Sequence, residues 1–294
     1  MNTASQVMDI RSGASARAAD AWTAFWADPG QSSCATGAPE IWQVLTNHWS
    51  SFARSLAHGT PVLDLGCGAC AVGRLVVGAR PDLHVTGIDA AKIPSIAHPQ
   101  IAVLSHTVME DMPFTARRFG AAVSQFGFEY SQTLESAREI VRVLGAGAKV
   151  SFLVHHAESA IVAATCARLR VLEDFLGPTL CAAFCSGDSA RFTSHLSSLI
   201  GRHPHDDLIA HLARALTPRL GHPQGKRIAI WAAIEEALAP ERRVSESLKS
   251  SCVAASRLEE WLGPLRSVCE LKTVTVLREP GGVPIAWFIE GLCG

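Results

Sequence analysis

Residues 61–73, PVLDLGCGACAVG, decide the fold. The apolar run around Val62, Leu63 and Leu65 reads as a short buried strand, and AVGRLVVGA behind it reads as a helix. Between them, Gly66 and Gly68 let the backbone turn sharply and approach a ligand without a Cβ in the way. The helix N-terminus that follows offers free N–H groups to anionic groups. Asp89 closes the next strand, VTGID, 21 residues after Gly68. A carboxylate there accepts hydrogen bonds from both hydroxyls of a ribose. Gly66-x-Gly68-x-x-Ala71 also fits a dinucleotide fingerprint, so the glycines alone leave NAD open. Asp64 weighs against it. Its carboxylate suits an ammonium, or orders the loop, and serves a pyrophosphate poorly.

Working outward, LHVTGID and IAVLSH read as the second and third strands and FGAAVSQFG as the fourth. LESAREIVRVL is a helix ended by Gly145, and AKVSFLVHH a fifth strand. Strands alternating with short helices imply βαβ units and a parallel sheet covered on both faces. Ahead of this core, residues 18–58 carry helical spacing, with Ile41, Leu45, Trp49 and Phe52 on one face. About 110 residues after His156 read as helix or loop. The end of the chain reads as a hairpin turning at Glu279-Pro280-Gly281-Gly282, so its last strand should be antiparallel. The expected organisation is a helical cap over residues 1–58, a Rossmann-like core over 59–156, a helical insertion or substrate lid over 157–266, and a closing hairpin over 267–294. Residues 1–17 read as a loose lead-in.

The bulk numbers limit the function classes. The 294 residues are 48% hydrophobic and 18% charged, as in an ordinary globular chain, with a net charge of -1. No basic surplus draws it to nucleic-acid phosphates. No apolar run spans a membrane and the N-terminus has no apolar signal region, so the expected location is the cytoplasm. The nine cysteines are scattered, and the expectation is free thiols in a reducing compartment, Cys67-x-x-Cys70 included. RHPHDDLIAH places His203, His205, Asp206, Asp207 and His211 close together, but its proline and spacing fit a solvated loop better than a metal site.

Five segments, in order, resemble the class I S-adenosylmethionine-dependent methyltransferases. VLDLGCGACA resembles that family's first motif, D-x-G-x-G-x-G, and VTGID its second. VMEDMPF resembles the E-D-L-P-F segment after the third strand, and FGAAVSQFGFEY the segment at the fourth. AREIVRVLGAGAKVSFLVHH resembles the helix, L-x-P-G-G turn and fifth strand. The resemblance implies a doubly wound, mostly parallel seven-stranded α/β sheet with an antiparallel last strand, and S-adenosylmethionine as cofactor. It also implies roles. Asp64 with the Gly66-Cys67-Gly68 loop would hold the methionine moiety, and Asp89, with Ala90 beside it, the ribose. Met109 and Glu110 would lie along the adenine, and Gln125 would face the methionine end. Two positions depart from the pattern. Cys70 replaces the third glycine, which tightens the loop only if its φ is negative, and Val108 stands where many relatives have an aspartate.

Methyl transfer is an in-line displacement, so positioning dominates and a base is needed only if the nucleophile carries a proton. The candidates end strands four and five: Glu129, Tyr130, His155 and His156. Adjacent strand residues point oppositely, so one of the two histidines should face the site. Trp22, Phe25, Trp26, Trp42, Trp231 and Trp261 are candidates for an apolar substrate wall. The expected partner is a small organic acceptor, through oxygen, nitrogen or carbon, with no nucleic acid, membrane or metal; a homodimer is compatible. The rivals are an NAD-dependent oxidoreductase and a fold-sharing protein that catalyses a different step.

Overall fold

A computed structural model of the chain describes residues 19–28, 39–204 and 206–293. Residues 19–27 are helical (α1), followed by α2 (Pro39–Arg54). The core then runs β1 (Pro61–Leu65), α3 (Ala71–Ala79), β2 (His84–Ile88), β3 (Ile101–Leu104), β4 (Phe119–Gln125), α4 (Thr133–Val143) and β5 (Leu144–His155).

Two further strands, β6 (Cys269–Arg278) and β7 (Pro284–Cys293), complete a seven-stranded sheet of order β3-β2-β1-β4-β5-β7-β6. The first five pair in parallel, and β7 inserts antiparallel between β5 and β6. The direction of winding changes between β1 and β4, the switch point where open α/β sheets bind ligands.

The central strands are buried on both faces, as covered parallel strands are. Leu63, Leu65, Ala122, Phe152 and Val154 pack on one face with Ile140 of α4. Val62, Ala121, Val123 and Leu153 pack on the other with Val76 of α3 and the Ile41, Leu45, Trp49 and Phe52 stripe of α2.

The chain divides into two compact units, one ending at Ala163 and resuming at Ser247, the other Ala164–Glu246. The second takes in most of α5 (Ala160–Phe175), all of α6 (Pro178–Ser186), α7 (Ser189–Arg202) and α8 (Asp207–Leu216), and most of α9 (Gln224–Ser251). Its own core holds Phe175, Phe184, Phe192 and Trp231, with Trp231 stacked on Phe175 at 5.5 Å. Arg168 ties α5 to Glu241 of α9 and to Asp206. By contrast, α10 (Leu258–Arg266) packs in the first unit through Leu258, Leu262 and Leu265, so the helical stretch after β5 does not form one body.

One expectation fails outright. Cys269 and Cys293 are directly opposed across β6 and β7 and form a disulfide. Strand register brings them together from 24 positions apart, which cysteine spacing does not reveal. Among the described residues Cys67, Cys70, Cys166, Cys181 and Cys185 are free thiols, and no helix is long and apolar enough to cross a membrane.

Candidate active site

The site grows from the end of β1. Gly66 and Gly68 both have positive φ, 65° and 47°. A Cβ on Gly66 would lie 2.9 Å from the Gly127 Cα and 3.1 Å from the Met109 Cε, so only glycine lets these segments meet. The Cys67 N–H donates to the Ile88 carbonyl, and the Cys70 N–H closes a turn on the Cys67 carbonyl at 2.8 Å.

Asp89 follows β2. Its carboxylate accepts the Gly68 N–H at 2.9 Å and the Ala91 N–H at 2.8 Å, which fastens the β2 end to the glycine loop. Ala90 beside it is exposed. Burial raises the Asp89 carboxyl above its ordinary range, opposed by those two backbone bonds.

Cys70 departs from expectation. Its φ is 56°, so it takes the left-handed conformation that a third glycine would adopt freely, at a cost of about 1 kcal/mol. The turn from Cys67 must reverse into α3 there, and the motif keeps the geometry without the glycine. Gly87 makes room below, since a Cβ on it would come 2.7 Å from the Cys67 Sγ. Hydrogen bonding to the Cys70 thiol, reinforced by burial, raises the Cys67 thiol well above its usual range, so Cys67 stays protonated at neutral pH.

Asp64 is 1% exposed. It accepts the Gly73 N–H, and its Oδ2 has no hydrogen-bond partner. Desolvation, helped by the nearby Asp89 charge and opposed by the Gly73 bond, pushes its pKa up to about 7.

The other cofactor candidates divide. Met109 is buried with its Cε against Gly66. Glu110 accepts the Gln132 N–H at 2.6 Å, and the Gln125 Oε1 accepts the Trp49 indole N–H at 2.6 Å. Val108 is 40% exposed.

The two histidines behave as alternation on a strand requires. His155 has no exposed side-chain surface, and its Nδ1 lies 2.7 Å from the Glu129 Oε1, which also accepts the His155 backbone N–H at 2.9 Å. The Phe126 ring stacks on the imidazole at 4.2 Å, and Tyr130 meets it edge-on at 6.2 Å. The His155 Nε2 and the Glu129 Oε2 are buried with no partner. His156 packs against Trp287 instead, accepts the Glu158 N–H at 3.0 Å, and is lowered from its usual pKa, chiefly by burial.

Sequence position suggested Glu129 but not its pairing with His155. The 26 residues between them are bridged by the adjacency of β4 and β5.

From α1, the Trp26 ring lies on Gly68, where a Cβ would come within 2.4 Å of it, and Trp22 meets Tyr130 at 5.3 Å. Thr23 accepts the Lys92 N–H at 2.9 Å. Trp231 belongs to the core of the second unit, and Trp261 packs on Phe128. His203 is bonded to Asp174 and Asp206 caps α8; His205 lies outside the described residues. Among the described residues no group of three His, Cys, Asp or Glu could hold a metal ion.

No curated protein matches this chain. Among solved structures it is similar to a complex of a Haloferax volcanii protein with the Trm112 methyltransferase activator, at 19% identity and TM-score 0.37 over 47% of this chain and 61% of that one. It is also similar to the [4+2]-cyclase SpnF, at 20% identity and TM-score 0.36 over 42% and 48%. A third is the 1,6-didemethyltoxoflavin-N1-methyltransferase of Burkholderia thailandensis, at 9% identity and TM-score 0.45 over 86% and 80%. The chain covers less than two thirds of the first two, and likeness at this level says nothing about substrate. Residues 63–152, by contrast, match a family model described as a methyltransferase domain. That match spans the β1–β5 part of the sheet and the Gly66–Asp89 assembly, and it makes residues 63–152 of this chain a methyltransferase domain.

Proposed function

We propose that this chain transfers a methyl group from S-adenosylmethionine to a small organic molecule through an O–H or N–H of the acceptor. The observation that carries the reading is the Asp89 carboxylate, fastened to the Gly68 N–H at the sheet's switch point. A carboxylate oxygen has acceptor capacity beyond one backbone bond, so Asp89 can take ribose hydroxyls while it holds the loop. Glycine at 66 lets the end of β1 pack directly on Gly127 and Met109, which fixes the loop that such a cofactor would lie along. Asp64 and Asp89 have no cationic partner among the described residues and suit a cationic cofactor better than an anionic pyrophosphate. The cofactor supplies a methyl group already activated on a sulfonium.

The chain supplies position and a base. Glu129 only accepts when ionised, so it fixes the His155 Nδ1 as donor and leaves Nε2 as a lone-pair acceptor in a site without water access. His155 can then take the proton of an acceptor O–H or N–H, and Glu129 stabilises the imidazolium that forms. Met109 and Glu110 are proposed along the adenine, Cys67, Gly68 and Gln125 toward the methionine end, and Tyr130 beside the acceptor. Near-neutral charge favours a small acceptor over nucleic acid.

Calorimetric titration of S-adenosylhomocysteine and NADH, followed by turnover on a panel of hydroxylated and amino acceptors, tests this. Asp89→Ala should weaken S-adenosylhomocysteine binding by about 1–3 kcal/mol. His155→Gln should lower turnover by about 100-fold with cofactor affinity kept. Tight NADH binding with none of S-adenosylhomocysteine overturns the cofactor, and full turnover in His155→Gln overturns the base.

A further inference from the structure

The half-buried aromatic residues of α1 differ from the aromatic side chains that fill the cores. Trp49, Phe175 and Trp231 are almost wholly buried in core packing, whereas Trp22, Phe25 and Trp26 each keep part of their surface exposed. They form one cluster, with Trp22 stacked on Trp26 at 6.0 Å and Phe25 edge-on to both at 5.4 and 4.9 Å. The helix touches the candidate site at three places. Thr23 is bonded to Lys92, three residues past Asp89; Trp26 lies on Gly68; and Trp22 meets Tyr130 after β4. The indole sits so close to Gly68 that no other residue fits there without moving it. A group bound along the Gly66–Gly68 backbone therefore lies beside the Trp26 ring.

The carboxyl groups around that place have no lysine or arginine partner among the described residues. Asp64 is buried beneath the loop with a carboxylate oxygen unpartnered, and Asp89 is bonded only to backbone N–H groups. Glu129 is paired with His155 alone. No lysine or arginine among the described residues forms an ion pair with any of the three. An aromatic face attracts a cation within about 6 Å of its centroid, most strongly where water is excluded. Carboxylates and indole rings share one preference, for positive charge.

Resting on the cofactor reading above, we propose that Trp26 is a positioning residue that senses the charge on the cofactor's sulfur. Trp26, backed by Trp22, attracts the sulfonium of S-adenosylmethionine and has no such hold on the neutral thioether of S-adenosylhomocysteine. The site thereby favours the substrate form of the cofactor over its spent form, and loss of the methyl group weakens the grip on the product. A tryptophan that merely packed would stabilise both forms alike.

Calorimetric titration of both ligands into wild type, Trp26→Leu and Trp26→Phe separates these. Wild type should bind S-adenosylmethionine more tightly than S-adenosylhomocysteine. Trp26→Leu should weaken S-adenosylmethionine by about tenfold and S-adenosylhomocysteine by less than about threefold, collapsing the ratio, and Trp26→Phe should restore most of it. Equal losses for the two ligands, or an unchanged ratio in Trp26→Leu, overturn the proposal and leave the cofactor reading standing. Failure of wild type to bind either ligand overturns both. A melting curve for each variant shows that the comparison is between folded proteins, and Trp22→Leu, one ring removed from the loop, should give a smaller change of the same sign.

Discussion

At the residue scale the telling group is Asp64. In the unfolded chain it ionises near the ordinary 3.8, whereas in the folded protein burial holds it protonated up to about 7. Between those values the folded state binds more protons than the unfolded, so its contribution makes stability fall as pH rises through that window. A shift of this size corresponds to a penalty on the order of 4 kcal/mol once the carboxylate is ionised. Asp64→Asn keeps an oxygen for the Gly73 N–H and removes the titration. Urea unfolding at pH 5 and pH 8 should show the wild type losing several kcal/mol more than the variant on going to pH 8; parallel losses would refute a buried, proton-holding Asp64. Residues that act within one βαβ unit were the legible ones. Gly66, Gly68 and Asp89 lie on one strand-turn-helix-strand path, so spacing alone places them together. The Glu129–His155 pair was not legible, because adjacency of β4 and β5 creates it. Nor was the left-handed Cys70, because a non-glycine residue hides the conformation that the turn imposes.

At the element scale, periodicity located what buries a regular face. The α2 stripe and the continuously apolar β1 and β4 were readable for that reason. By contrast, α6 (PTLCAAFCS) carries no clear stripe, because small residues and cysteines supply most of it. In α9, Pro240 is a residue that in sequence marks a helix stop, yet the helix runs on to Ser251, with Glu241 held by Arg168 and Val244 and Ser245 buried beyond it. The closing hairpin was legible from its turn, but β7 lying inside the sheet, with β6 on the edge, depends on pairing with β5. That arrangement gives the Cys269–Cys293 bond its effect. Linking residues 24 apart restricts the unfolded chain by about 3–4 kcal/mol on a loop-entropy estimate. Unfolding in urea with a strong phosphine reductant should therefore show lower stability than without it. A thiol titration in denaturant should find at least two of the nine cysteines, Cys269 and Cys293, blocked until reductant is added. Nine titrating thiols without reductant would refute the bond.

At the scale of the whole molecule, the chain leaves the sheet after β5, builds a second core, and returns to finish the first. The second unit has what an independent domain requires: a contiguous segment, a closed set of buried aromatic and aliphatic side chains, and polar ties of its own. Phe175, Phe184, Phe192 and Trp231 fill its centre, and Arg168 links α5 to Glu241 and Asp206. Asp174 takes His203 and Arg202, and Arg227 donates to the carbonyls of Cys185, Leu220 and His222. Each of these contacts joins residues within Ala164–Glu246, so cutting the chain on either side removes none of them. Expressed alone with short flanks, that segment should show a helical circular dichroism spectrum and a cooperative thermal transition. Trp231, the only tryptophan between those bounds, should shift its emission in the same transition as the helices melt. A gradual, non-cooperative melt, or an exposed tryptophan spectrum at low temperature, would mean that the aromatic core needs the sheet-bearing unit to form. The cooperative outcome would mean that the insertion can change its surface without altering the Gly66–Asp89 assembly, because the residues that hold that assembly all lie in the other unit.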